Sequence, residues 1–173
     1  MPRIVCYIAA SLDGFIARKD GDVSWLDPFN VLDYGYDAFY GGIGSLVMGS
    51  GTYQFVLDYG KWLYDKKAFV ITKRQLPKME GADLEFFAGE LPELVEKAKA
   101  AAGGKDVWLI GGGKLLGSFI NAKLLDELIL FQMPLLLHDG IPLFTGVTHD
   151  TCLKLLSEKS YENGVVELRY LVC

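Results

Sequence analysis

Histidine and cysteine are scarce in this chain. Its 173 residues hold 2 histidines, His138 and His149, and 3 cysteines, Cys6, Cys152 and Cys173. No two cysteines form a CxxC pair, so the spacing offers neither a zinc ligand set nor a disulfide framework, and the thiols read as buried or incidental. A basic excess is missing too. Against 22 Asp and Glu stand 17 Lys and Arg, a net charge of -5 that argues against a nucleic-acid partner. No apolar run reaches membrane-spanning length, and the start of the chain lacks the regions of a secretory leader. A cytoplasmic protein touching neither membrane nor nucleic acid is expected. His138 and Asp139 stand side by side in a turn, but no GxSxG elbow accompanies them, which sets a hydrolase aside. The 6 prolines are scattered through a chain that is 51% hydrophobic, so neither disorder nor low complexity is indicated.

Glycine, by contrast, is plentiful, and it stands where apolar runs stop. The stretch Asp106 to Ile120 organises the rest: an apolar run reads as a buried strand, Gly111-Gly112-Gly113 force a turn, and Leu115, Leu116, Phe119 and Ile120 follow at helical spacing. Ser45 to Met48, then Gly49-Ser50-Gly51-Thr52 and a helix through Leu57, repeat the order. Two strand-to-glycine-to-helix junctions put two helix N-termini at the carboxyl ends of strands, where open α/β sheets bind ligands and where phosphate is a natural guest. Ala68 to Ile71 is a further strand, followed by Thr72-Lys73-Arg74, whose adjacent cations suit a phosphate or a solvated corner.

Read in order, Arg3 to Ala10 is an interior strand, and the long connection from Ser11 to Trp25 suggests a functional loop. Leu32, Tyr36, Phe39, Tyr40 and Ile43 recur at helical spacing and predict a helix over 31–43 that carries Asp33 and Asp37 on one face. Leu84 to Phe87 is a short strand, Leu91 to Ala102 a helix, and Leu124 to Met133 a strand with Gln132 near its end. The runs 152–161 and 165–172 around Glu162-Asn163-Gly164 predict an antiparallel hairpin. The whole, one domain over 1–173, is an α/β fold: a mostly parallel sheet with an antiparallel edge.

Two nucleotide signatures fail. Gly104-Lys105-Asp106 and Gly113-Lys114-Leu115 lack the hydroxyl of a Walker A loop, and Gly111, Gly113 and Gly117 miss the dinucleotide spacing by one place. Taken together, however, Ile8 to Ala17, Val47 to Tyr53, Ile110 to Lys114 and Pro142-Leu143-Phe144 resemble the dihydrofolate reductase-like superfamily, nearest the branch of the riboflavin-biosynthesis deaminase-reductase. The likeness spans nearly the whole chain. It implies a three-layer α/β/α dihydrofolate reductase-like fold and NADPH as hydride donor. By position, Ala10 and Ile16 would flank the nicotinamide, Gly49, Ser50, Gly51 and Thr52 would meet the adenosine side of the pyrophosphate, and Gly111, Gly112, Gly113, Lys114 and Leu115 would cradle phosphate. Thr72, Lys73 and Arg74 would hold the ribose 2′-phosphate.

Two positions depart from that pattern. Ser50 stands where the family carries an arginine, leaving the 2′-phosphate to Lys73 and Arg74. Phe15 stands where the riboflavin reductases carry a lysine that contacts a phosphorylated sugar, which points away from their reaction. The implied activity is hydride transfer to a small, heterocyclic, pterin- or pyrimidine-like substrate. Asp13, Asp37 and Gln132 are the candidate catalytic groups, Trp25 and Tyr36 the candidate substrate contacts, and no metal is called for. The alternatives are a non-catalytic NADP(H)-binding module and a structural subunit, and an apolar, aromatic-rich chain of this size suits a homodimer.

Overall fold

The computed structural model describes residues 1–173. At its centre lies β1 (Ile4–Ser11), between two parallel neighbours, β6 (Asp106–Gly111) and β7 (Glu127–Met133). A strand bonded on both edges and covered on both faces has no wet side, which is why its sequence is nearly unbroken apolar. The remaining strands are β2 (Phe15–Ala17), β3 (Ile43–Gly49), β4 (Lys67–Ile71), β5 (Leu84–Phe87), β8 (Ile141–Pro142), β9 (Leu153–Ser160) and β10 (Val166–Val172). One eight-stranded sheet runs in the order β5-β4-β3-β6-β1-β7-β10-β9, and β2 pairs with β8 apart from it. From β5 to β7 all neighbours are parallel, and β10 and β9 add an antiparallel edge, as the pattern predicts.

Helices α1 (Tyr36–Gly41) and α2 (Ser50–Tyr59) cover one face, and α3 (Leu91–Ala101) and α4 (Gly113–Asn121) the other. Leu94, Val95 and Ala98 of α3 and Leu116, Phe119 and Ile120 of α4 share a core with Val47, Leu109 and Leu128. Tyr53 of α2 packs with Leu46, Met48, Val70 and Trp108 on the reverse side. A third apolar group, Val5, Ile129, Phe131 and Met133, lies under the 3-10 turn Ser24–Phe29, which buries its own Trp25 against it. Three layers result. None of the helices is long and apolar enough to cross a membrane. β9 is covered by nothing, and Leu153, Leu155 and Leu156 stand exposed along it.

The helix expected over 31–43 is much shorter. The Asp33 carboxylate takes the Gly35 amide at 2.7 Å, and Gly35 sits at φ 76°, a left-handed conformation that stops a helix from running through it. At the far end Ile43 already belongs to β3. The local turn chemistry overrides a periodicity that is real but serves two different elements.

Candidate active site

The two glycine turns sit side by side. β3 and β6 are neighbours, with Met48 opposite Gly111, and a Cβ placed on Gly112 would lie 3.9 Å from Thr52 Oγ1. From β3 the chain crosses through α2 to β4, away from β1; from β6 it crosses through α4 to β7, over β1. Strand order therefore reverses between β3 and β6, and right-handed crossovers send the two helices to opposite faces. The crevice this opens at the carboxyl ends is the position where ligands of open α/β sheets bind.

The helix starts at this crevice are bare. Gly49 and Gly112 are the N-cap residues of α2 and α4, and neither helix receives a side-chain cap bond. First-turn amides have no partner within their own helix, so both ends present donors and a partial positive charge. Gly111 adopts φ 118°, which only glycine accepts readily, and its peptide bond to Gly112 is cis. Gly113 matters for its size instead. A Cβ there would stand 2.1 Å from the Pro142 carbonyl oxygen, so its smallness lets α4 press on the 142–146 loop, as does Gly117 beside Thr145. The Leu115 side chain is in the core, leaving only its amide for the crevice.

One strand over, Thr72, Lys73 and Arg74 follow the end of β4, whose last residue, Ile71, pairs with Gly49. Thr72 Oγ1 accepts the Arg74 amide at 2.9 Å, and both cations are exposed without an ion-pair partner. On the other side, Ala10 at the end of β1 and Ile16 in β2 face the α4 side of the sheet. Cations, two bare helix starts and Ala10 thus succeed one another across four strand ends, a span of about 14 Å at the usual interstrand spacing.

On the opposite face of β1 a cleft of about 330 Å³ opens between the sheet and the 26–36 segment. Tyr7 and Ala9 of β1 and Phe131 and Met133 of β7 form its floor, Tyr34 and Tyr36 its walls, and Asn30 and Asp33 its polar rim. Asp33 is the one charged group among the lining residues, and no lysine or arginine is present. Tyr34 is fixed, since its hydroxyl donates to the Phe29 carbonyl at 2.7 Å and accepts from Asn163 Nδ2 at 2.6 Å. The Tyr7 ring is stacked on Phe39 at 4.3 Å and tilted against Phe131 at 4.7 Å. Burial, seconded by the nearby Glu167 and Asp33 carboxylates, drives its hydroxyl above the ordinary tyrosine value, so it stays protonated.

The expected catalytic and substrate-binding residues do not gather here. Only Tyr36 lines the cleft. Asp37 is exposed in the first turn of α1 and does not line it, whereas Asp33 does. Trp25 is buried in the apolar cluster that holds the floor residues Phe131 and Met133 and does not line the cleft. Gln132 alternates with Phe131 and Met133 and so points to the other face, beside Ala10. The Asp13 carboxylate is spent on the backbone and its own loop: it accepts from Ser11 Oγ at 2.7 Å, Leu137 N at 3.0 Å and His138 N at 2.7 Å. With Leu12 N on Leu135 O at 2.8 Å, the β2–β8 pairing and the Lys19–Asp139 ion pair, it ties the 11–19 loop to the 135–143 segment. Tyr7, Tyr34 and Phe131 escaped the sequence reading because an apolar strand does not announce which of its residues border a cavity.

Comparison with known proteins fits this arrangement. The family model of the RibD C-terminal domain matches residues 51–167. The chain belongs to the RibD C-terminal domain family. YwjB of Bacillus subtilis (strain 168) is 33% identical over 98% of this chain and 97% of its own. The crystal structure of a Shewanella sp. PV-4 protein named for riboflavin biosynthesis superposes with a TM-score of 0.87 at 28% identity, covering 100% of this chain and 99% of that one. Dihydrofolate reductase from Enterococcus faecalis, in complex with NADP(H), shares the fold at a TM-score of 0.65 and 17% identity, covering 98% and 96%. The dihydrofolate reductase-like fold is thereby established, and membership in the RibD C-terminal domain family supports an oxidoreductase.

Proposed function

We propose that the protein is an NADPH-dependent reductase that delivers a hydride to a small, planar heterocycle without a phosphate group. The observation that carries the reading is the crevice between β3 and β6, where two uncapped helix starts of adjacent strands converge beside a pair of unpaired cations. The first-turn amides of α2 and α4 suit a pyrophosphate, and Lys73 and Arg74 suit the ribose 2′-phosphate at the position where a site for the unphosphorylated dinucleotide offers a carboxylate. Ser50 adds a hydroxyl in place of a guanidinium, so the selectivity rests on those two cations. The dinucleotide, when bound, supplies the hydride.

Everything else is the work of the protein's own groups. The crevice and the cleft meet at the carboxyl end of β1, where Ala10 faces one and Ala9 the other. Small side chains at both positions let two flat rings approach the same strand end. Tyr7, Tyr34 and Phe131 give the cleft flat apolar surfaces that orient a ring and exclude water, and Asp33 accepts N–H groups from its edge. A cleft whose one charge is negative repels a phosphorylated sugar. Phe15, lodged against the apolar cluster under the cleft, agrees with this.

Titration with NADPH and NADH tests the cofactor assignment. NADPH is expected to bind about tenfold tighter or more, and the charge reversals Lys73→Glu and Arg74→Glu to erase that gap. Equal affinities before and after would remove the assignment. A panel of pterins, pyrimidines and flavin precursors, with and without phosphate, followed at the nicotinamide absorbance, tests the substrate: NADPH binding without oxidation of any member would leave a binding module instead of an enzyme.

A further inference from the structure

The hairpin brings together two cysteines that lie far apart in sequence. Val172 of β10 pairs with Leu153 of β9, so Cys173 stands opposite Cys152, and its amide donates to the Cys152 carbonyl at 3.0 Å. Both residues are exposed. The pairing depends on one irregularity. From Val166 to Arg169 the partners run in one register, and between Arg169 and Tyr170 it shifts, leaving Leu156 as the extra residue of a bulge. Had the first register run on without the shift, Cys173 would oppose Leu153, and Cys152 would point to the other face of the sheet. The bulge sets both thiols on one face.

We propose that Cys152 and Cys173 are a thiol oxidation site, which a low-molecular-weight disulfide converts to an intramolecular bridge across the open end of the hairpin. Directly opposed residues of an antiparallel pair have Cα atoms about 4.5–5.5 Å apart, inside the range of about 4.4–6.8 Å that a disulfide spans. The Cys173 thiol, through hydrogen bonding and charge, holds the Cys152 thiol above its ordinary value, as expected of two thiols in contact. Cys6 takes no part, because complete burial pushes it up to about 12 and keeps it an inert thiol. In the reaction, one hairpin thiolate attacks the external disulfide and expels one thiolate. The other then attacks the resulting mixed disulfide at the protein sulfur and expels the second. Two protein thiols are oxidised, one external disulfide is reduced to two thiols, and the protons lost by the protein pass to the leaving thiolates.

The test is exposure of the folded protein to oxidised glutathione, then thiol counting after denaturation, peptide mapping and a non-reducing gel. The expected product is a monomer that has lost two of its three thiols, yields a peptide linking Cys152 to Cys173 and recovers all three on reduction. The Cys173→Ser variant is expected to keep a glutathione adduct on Cys152 and form no bridge. Three free thiols after treatment, a link involving Cys6, or an interchain dimer as the main product overturns the proposal. Melting is a second measure: the bridged protein is expected to melt about 5 °C higher or more, with the gain lost on reduction and absent in Cys173→Ser. A bridge that lowers the melting temperature overturns it as well, since the native register would then not hold the sulfurs at bonding geometry.

Discussion

Asp33 and Asp37 stand four residues apart, and only the first borders the cleft. The sequence presents them as equivalent because a helical repeat would stack them; the left-handed Gly35 between them breaks that equivalence. Asp33→Asn is expected to lower kcat/KM for the heterocycle turned over by about tenfold to a hundredfold, the usual cost of a lost charged hydrogen bond. Asp37→Asn should stay within about twofold, as steady-state kinetics on the pair will show. Asp13 makes a prediction of another kind. Its bond from Ser11, seconded by two backbone amides, lowers its pKa below the ordinary 3.8. A carboxylate depressed in the folded state stabilises above its unfolded value and loses that contribution as pH falls through the folded one. The melting-temperature gap between the native protein and Asp13→Asn is therefore expected to be full at neutral pH and to close below 3.8. Nothing local distinguishes such a latch from a catalytic acid in the sequence: both are an aspartate before a glycine in a loop.

At the scale of elements the sequence is far more informative. Apolar runs ended by glycine mark both turns of the crevice, and Asn163-Gly164 marks the hairpin, because each rests on backbone preferences that a few residues settle by themselves. Facing is harder. Gln132 lies in a strand correctly expected, yet a period of two turns it away from the cleft once Phe131 is known to line it. The glycines also divide by role in a way spacing does not reveal. Gly113→Ala and Gly117→Ala push a Cβ to 2.1 Å from backbone oxygens that cannot swing aside. Each is expected to cost about 1–3 kcal/mol in denaturant unfolding, as overpacked sites do. A Cβ on Gly51 meets nothing within 4 Å, so Gly51→Ala should raise the melting temperature by about 1–3 °C.

The molecule as a whole has two dissimilar ends. At the carboxyl ends of the parallel strands lie bare amides, cations and the mouth of the cleft. At the amino ends a charge cluster closes the sheet: Arg3 spans Asp106 at 2.6 Å and Glu127 at 2.5 Å, and Glu127, 4% exposed, has Arg169 as its other cation at 3.9 Å. Arg3→Ala leaves a buried carboxylate with one distant partner. It is expected to cost about 2 kcal/mol in chemical denaturation, reduced from the fully buried case because Arg3 is half-exposed, while NADPH affinity stays unchanged. Such a division, chemistry at one pole and anchorage at the other, follows from a sheet whose crossovers all run the same way. At the chemical pole the 11–19 and 135–143 segments are fastened to each other by Asp13, Leu12 and Lys19. Two surface stretches that would ordinarily relax at their own rates are thereby joined into a single mechanical unit, and parting them must undo these attachments together with the β2–β8 pairing.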